Sequence, residues 1–248
     1  MLVDTHCHIH ESSYPLDSAE VLSRLESAGV SAYVCVGTSL ESSREAVDFC
    51  ARHDRAFASV GVHPHDTKDG YDIEELARQP GVIAIGEIGL DYYYTHSPKQ
   101  TQLAALRAQL DVAVKYDLPV IFHVREAFDD FWPVFDSYEG KIRGVLHSFT
   151  DTKDNLQKAL DRGLYIGVNG ISTFTKDEAQ RQMFDAIPLD RLLFETDAPF
   201  LTPHPFRGKV NEPALVRNVA EYHAQRRQLS LEAIALQTTK NAQALLRF

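Results

Sequence analysis

Six side chains able to hold a metal ion, His6, His8, Glu87, His123, His147 and Asp197, are scattered along 248 residues. Each stands at the polar end of an apolar, β-rich segment. Four imidazoles with two carboxylates make a mixed nitrogen and oxygen set of the kind that binds divalent transition metals. His6 and His8 are two apart in DTHCH, so on a strand they share a face, with Cα atoms roughly 6.6 Å apart, and can reach one ion. Glu87 in GEIGLD has two carboxylate oxygens, one for each of two ions, and flanking Gly86 and Gly89 let backbone or substrate come close. His123 and His147 offer nitrogen to a second ion. Asp197 in ETDAP can join the His6/His8 ion and take a proton from water. Alone, an HxH pair reads as hydrogen-bonded strand-end residues and a lone Glu as a salt-bridged acid. The coincidence of six carries the metal reading.

Two cations point to phosphodiester hydrolysis, which must activate water near neutral pH and stabilise charge on both the attacking and the leaving oxygen. Asp197 is the expected general base and Glu87 the expected bridge. Around them, Arg125 points the same way as His123, and Arg207 lies in the loop PHPFRGKVNEP; both guanidiniums suit phosphate. For either, a surface salt bridge is an equally good reading of position alone. His63 and His65 in GVHPHD end the third strand; His63 is a candidate either to support a ligand from behind or to contact substrate, and His65 a structural one. Glu195 shares strand phase with Asp197. Tyr92, Tyr93 and Tyr94 could stack a base, but an aromatic run after a strand is as often packing.

The elements that must bring these groups together follow from the same segments. Candidate strands are 2–9, 32–37, 56–62, 82–88, 119–124, 144–149, 165–169 and 192–197. Between them run amphipathic stretches such as AEVLSRLESAG, LESSREAVDFCARHD, QTQLAALRAQLDVAVKYD and TKDNLQKALDRG, with apolar residues at helical intervals and Gly or Asp stops. Eight strand-helix units of about 31 residues fit a single TIM (β/α)8 barrel over 1–248. Closure is preferred to an open sheet because the six ligands come from the first, fourth, fifth, sixth and eighth strands. No GxGxxG follows the first strand. The tail SLEAIALQTTKNAQALLRF reads as a closing helix, with Leu231, Ile234, Ala242, Leu245 and Leu246 available for packing.

Composition narrows the class. Asp plus Glu number 35 against 25 Lys plus Arg, a formal charge of −10, which argues against a broad basic surface tracking nucleic-acid phosphates. A polyanion would have to be captured locally, at cations that invert the sign of the pocket. No apolar run is long enough to span a bilayer, and MLVDTHCH enters a strand without a basic leader, so a cytoplasmic location is expected. Cys7, Cys35 and Cys50 form no CxxC pair and read as reduced core thiols.

In its motifs the chain resembles the TatD family of metal-dependent deoxyribonucleases, within the wider metallohydrolase barrels. The resemblance runs through DTHCH, GVHPHD, GEIGLDYYY, QLDVAVKYDLPVIFHVREA, HSFT, ETDAPFLTP and PFRGKVNEP, nearly the whole chain. It implies a two-metal barrel in which His6, His8, Glu87 and Asp197 hold one ion and Glu87, His123 and His147 help hold the other. It also implies hydrolysis of DNA, commonly exonucleolytic and with 3′–5′ polarity expected here. Zinc, magnesium, manganese, iron and cobalt are not distinguished. The chain departs from the family pattern at Ser148, where Cys is usual, at Asp151, near a usual Gly, and at Val124, whose side chain should point away from the pocket. Asp151 would add an acid near the presumed phosphate path.

Two other functions compete. A small-molecule metallohydrolase acting on an amide, lactone or phosphoester would use the same barrel, but VIAIGEIGLD lacks the lysine with which many cyclic-amide hydrolases bridge their metals. A metal-binding protein without a reaction would not need Asp197 beside a complete ligand set.

Overall fold

The computed structural model describes residues 1–248. Eight strands, β1 (Leu2–Cys7), β2 (Val30–Val36), β3 (Ala56–Val60), β4 (Val82–Asp91), β5 (Val120–Arg125), β6 (Gly144–Leu146), β7 (Tyr165–Val168) and β8 (Leu192–Phe194), form one sheet in sequential order. Every neighbouring pair is parallel. All eight expected strands are present. The sixth and eighth stop earlier than the sequence reading placed them, so His147 and Asp197 lie just beyond the ladder. The seam between β1 and β8 is closed past the strand ends. The Asp197 N–H donates to the His6 carbonyl at 2.8 Å, the His8 N–H donates to the Ala198 carbonyl at 2.8 Å, and Cys7 bridges Ala198 in parallel fashion. Asp4, fully buried, accepts from the Thr196 N–H at 2.8 Å and from its hydroxyl at 2.6 Å. Burial pushes the Asp4 carboxyl up to about 8 despite these bonds.

The connecting helices begin where side chains can satisfy free N–H groups. Asp17 caps α1 (Ser18–Ser27), Ser39 caps α2 (Leu40–Cys50), Thr152 caps α6 (Lys153–Asp161), Asp177 caps α8 (Glu178–Ala186) and Ser230 caps α10 (Leu231–Leu246). The remaining helices are α3 (Glu74–Ala77), α4 (Lys99–Tyr116), α5 (Phe128–Asp136), α7 (Ile171–Phe174) and α9 (Val216–Arg226). The expected Gly and Asp stops are there: Gly29 and Gly163 have φ of 77° and 75°, and Asp117 ends α4 in the left-handed region at 51°.

Two apolar layers result. The larger lies between the strands and the helices. The smaller fills the barrel itself with Val3, Val34, Val36, Ala84, Ile121, Val145 and Leu193, and Ala242, Leu245 and Leu246 of α10 join it. Asn241 of α10 donates to the Leu192 carbonyl at the start of β8, and the Thr239 hydroxyl to the Met1 carbonyl before β1. The last helix therefore plugs the N-terminal mouth, as its sequence led us to expect. Its other expected packing residues divide off: Ile234 and, half-buried, Leu231 pack into the outer layer instead. With one mouth sealed, the pocket is confined to the other, at the carboxyl ends of the strands. No helix is long and apolar enough to cross a membrane, and the three cysteines are unpaired, Cys7 and Cys35 buried and Cys50 half-buried.

Candidate metal centre

Strict alternation would not put Val3 and His6 on one face of β1, or Ala84 and Glu87 on one face of β4. Register shifts between Asp4 and Cys7, and between Ile85 and Ile88, change the phase. The lower part of each strand thus fills the barrel while the upper part still aims its ligands inward. On β5, β6 and the extension of β8 the phase is regular: Ile121 is followed by His123 and Arg125, Val145 by His147, and Leu193 by Glu195 and Asp197. Gly86 and Gly89 serve contact between strands: a β-carbon at Gly86 would lie 2.6 Å from Cβ of Ile121, and one at Gly89 only 1.8 Å from the His123 carbonyl oxygen. Of the two expectations for these glycines, close approach of backbone or of substrate, the first is met: β5 packs directly against both.

All six candidate ligands converge. His6 Nε2 lies 3.3 Å from Glu87 Oε2 and 3.6 Å from Asp197 Oδ1. His8 Nε2 lies 3.2 Å from His6 Nε2 and 3.3 Å from Asp197 Oδ1. The other oxygen of Glu87, Oε1, lies 2.8 Å from His123 Nδ1, 3.6 Å from His63 Nε2 and 3.9 Å from His147 Nε2. One carboxylate therefore faces two groups of nitrogen donors with separate oxygens. His8, His63, Glu87, His123, His147 and Asp197 line a cavity of about 820 Å³, with His6 fully buried beneath them. His147 differs in detail from expectation. It stacks on His6, with ring centroids 3.5 Å apart, and its Nε2 is nearly equidistant from Glu87 and Asp197, at 3.9 and 3.8 Å.

Hydrogen bonds on the far side of the rings decide which nitrogen faces the centre. His8 Nδ1 is 2.8 Å from the Val36 carbonyl, which accepts only, so Nδ1 carries the hydrogen and Nε2 presents its lone pair. His123 Nε2 is 2.9 Å from Asp91 Oδ2, and His147 Nδ1 lies 2.9 Å from Glu195 Oε1 as an ion-pair contact, that oxygen accepting from the Ser148 N–H. Carboxylates thus orient two of the imidazoles, an arrangement that fits metal ligation. Three sets of donor atoms, His6/His8/Glu87, His6/His147/Glu195 and His63/Glu87/His123, each lie within 4.8 Å of one another. Lone pairs buried this densely fit cations held between them.

Electrostatics within the cluster are strong. Burial opposes protonation of His147, but the Glu195 and Glu87 carboxylates outweigh it and push the imidazole up to about 10. His8 and His123 are also raised, burial being overcome by Asp197 for the first and by Asp91 and Glu87 for the second. His6 and His63 are lowered, by burial first and then by the neighbouring His147 and His123 respectively. Burial would raise the carboxyls of Glu87 and Asp197, yet the surrounding imidazoles hold both below the usual carboxylate range.

Other expected residues are sorted by the fold. Arg125 lines the cavity, with its guanidinium over Tyr93 at 4.0 Å. Arg207 does not line it; its guanidinium covers Phe174 at 3.7 Å and donates to the Thr202 carbonyl. Asp151 turns to the Thr152 N–H and Asn155 Nδ2, both at 2.7 Å, and leaves the cavity free of its charge. Val124 contributes to the lining, contrary to the simple phase argument. Asp91 was not singled out from sequence. Its two-residue spacing from Gly89 and four-residue spacing from Glu87 on one strand was the available signal. It is buried and joins His123, His65 and the turn at Tyr93 and Tyr94.

The family described as TatD related DNase matches residues 3–247. A metal-dependent hydrolase of Bacillus subtilis, YabD, is 37% identical over 253 residues, covering 100% of this chain and 99% of that protein. The 3′-5′ ssDNA/RNA exonuclease TatD of Citrobacter rodentium is 35% identical over 255 residues, covering 98% of this chain and 97% of its own. Among solved structures, the TatD homologue YjjV of Escherichia coli superposes with a TM-score of 0.91 at 28% identity, covering 100% of this chain and 98% of that one.

Proposed function

This chain belongs to the family of TatD-related DNases, and from that premise we propose that it is a two-metal phosphodiesterase that shortens DNA from the 3′ end. The observation that carries the reading is the division of Glu87, with Oε2 toward His6 and Oε1 toward His123 and His63. In this reading His6, His8, Glu87 and Asp197 hold one cation, and Glu87, His123 and His147 hold the other with His63 beside it. The metals, when bound, supply Lewis-acid activation of water and charge stabilisation at the reacting phosphate. Zinc, manganese, iron or cobalt suit the nitrogen-rich set better than magnesium, which prefers oxygen.

The chain's own groups do the rest. Asp197 is ionised at neutral pH, and its side chain, 15% exposed, opens to the cavity. It is placed to take the proton of the attacking water. Asp91 and Glu195 hold His123 and His147 in orientation from behind. Arg125 is the single Lys or Arg among the residues lining the cavity and meets a phosphate there. Arg207, seated on Phe174 outside the lining, takes no phosphate in this reading.

The test is incubation of the purified protein with 5′-labelled single-stranded DNA, RNA, and a panel of lactones and dihydropyrimidines, with and without chelator, alongside metal analysis. Stepwise loss of nucleotides from DNA, abolished by chelator, is expected. Turnover of a lactone or cyclic amide with DNA left intact would select a small-molecule metallohydrolase instead.

A further inference from the structure

The metal centre leaves unexplained a concentration of exposed aromatic surface at the cavity mouth. Phe200 is 60% exposed and Tyr94 44%, and both line the same cavity as the ligand cluster. They come from the turns after β8 and β4. Those strands are four places apart in a ring of eight, so the two turns leave the barrel from opposite sides of its rim.

Each is held by its backbone; the Phe200 ring is open, and the Tyr94 ring, with His96 stacked at 5.9 Å and Tyr93 edge-on at 4.6 Å, keeps part of its surface exposed. Asp91 Oδ1 accepts from the Tyr93 N–H at 2.9 Å and from the Tyr94 N–H at 2.8 Å, which fixes that turn against β4. His65 packs edge-on against Tyr94, with centroids 5.7 Å apart, and the Arg125 guanidinium lies 4.9 Å from the Tyr94 ring. On the other side the Phe200 N–H donates to the Asp197 carbonyl at 2.8 Å. Each aromatic is thus pinned to an acid of the site, Asp91 or Asp197.

Exposed aromatics rimming a polar cavity mark a ligand surface. Away from the metal centre the lining offers phosphate only Arg125, and the chain carries a charge of −10, so phosphates other than the reacting one find little hold. Base faces are apolar, and every base has one. Resting on the phosphodiesterase reading above, we propose that Tyr94 and Phe200 form a stacking clamp for the unpaired terminal bases of the strand being cut, with Arg125 at the adjoining phosphate. Such a clamp requires the bases to be out of a duplex and tolerates any sequence.

The experiment measures binding of the metal-loaded protein, by fluorescence anisotropy, to a labelled single strand with cleavage-resistant phosphorothioate 3′ linkages. The same strand lacking its 3′-terminal bases is measured beside it. Phe200→Ala and Tyr94→Ala are expected to raise Kd for the intact strand roughly tenfold each and to leave Kd for the abasic strand unchanged, while Phe200→Trp retains wild-type binding. Equal weakening for both strands, or for neither, overturns the clamp. Chelator-sensitive DNA degradation alongside that result would leave the phosphodiesterase reading standing, whereas wild-type protein that neither binds nor degrades any strand would sink both.

Discussion

Asp197 sits among three imidazoles and still faces the cavity, a combination that lets one side chain serve as ligand and base. Its backbone is in the left-handed region, with φ of 60°, uncommon for a residue other than glycine. The turn that imposes this, held by the N–H bond to His6, swings the carboxylate back over β1. Asp197→Asn keeps the shape and removes both charge and basicity. We expect kcat to fall by about 10²- to 10⁴-fold, with metal content measured on the same sample. A variant that keeps its metals and full activity withdraws the base assignment. His63 reads from the sequence as a support for a ligand or a substrate contact, and the structure sets its Nε2 3.6 Å from Glu87 Oε1, among the candidate donor atoms. Nothing local marks that placement, because it depends on where Glu87 arrives from the neighbouring strand.

At the scale of elements, β4 and β5 approach more closely than side chains permit. Gly89→Ala would set a methyl group against the backbone of His123. Since backbone cannot rotate away as a side chain can, the strands must part. A loss of about 1–3 kcal/mol or more is expected, read as a fall of several degrees in Tm, with activity falling further because β5 carries His123. An unchanged Tm would mean that the strands are not so tightly apposed. The outer layer holds a second test. His223 of α9 is fully buried, its Nε2 2.9 Å from Ser172 Oγ, and burial, reinforced by Arg227, pushes it down to about 3. The unfolded chain takes up this proton near pH 6.5 and the folded one refuses it. Stability from this residue is therefore fully present above pH 6.5 and is lost as pH falls toward 3. His223→Gln should flatten the acid limb, reducing the drop in urea-unfolding free energy between pH 7 and 5 by on the order of 2 kcal/mol. An identical drop in wild type and variant would contradict a neutral buried imidazole.

The whole molecule is acidic and its cavity nearly devoid of Lys and Arg, so DNA binding should depend weakly on salt. A plot of log K against log salt is expected to have a shallow slope, and one matching about six or more neutralised phosphates would contradict local capture. The barrel itself was legible in the sequence because its signals are local and repeated: β-rich runs with polar ends, amphipathic stretches between them, and Gly or Asp stops such as Gly29, Asp117 and Gly163. The candidate ligands were legible for the same reason, since strand ends in a parallel barrel point to one rim. Phase shifts inside β1 and β4, the division of α10 between two apolar layers, and the turn of Asp151 away from the cavity were not, because neighbouring strands and loops set them. Sequence by itself determined which groups could bind metal and that they would share a rim, a consequence of chain periodicity. Only the tertiary structure decided that Glu87 turns its two oxygens to different neighbours, that His63 lies beside Glu87 and that Arg207 stands on Phe174, because each depends on contacts between residues far apart in the chain.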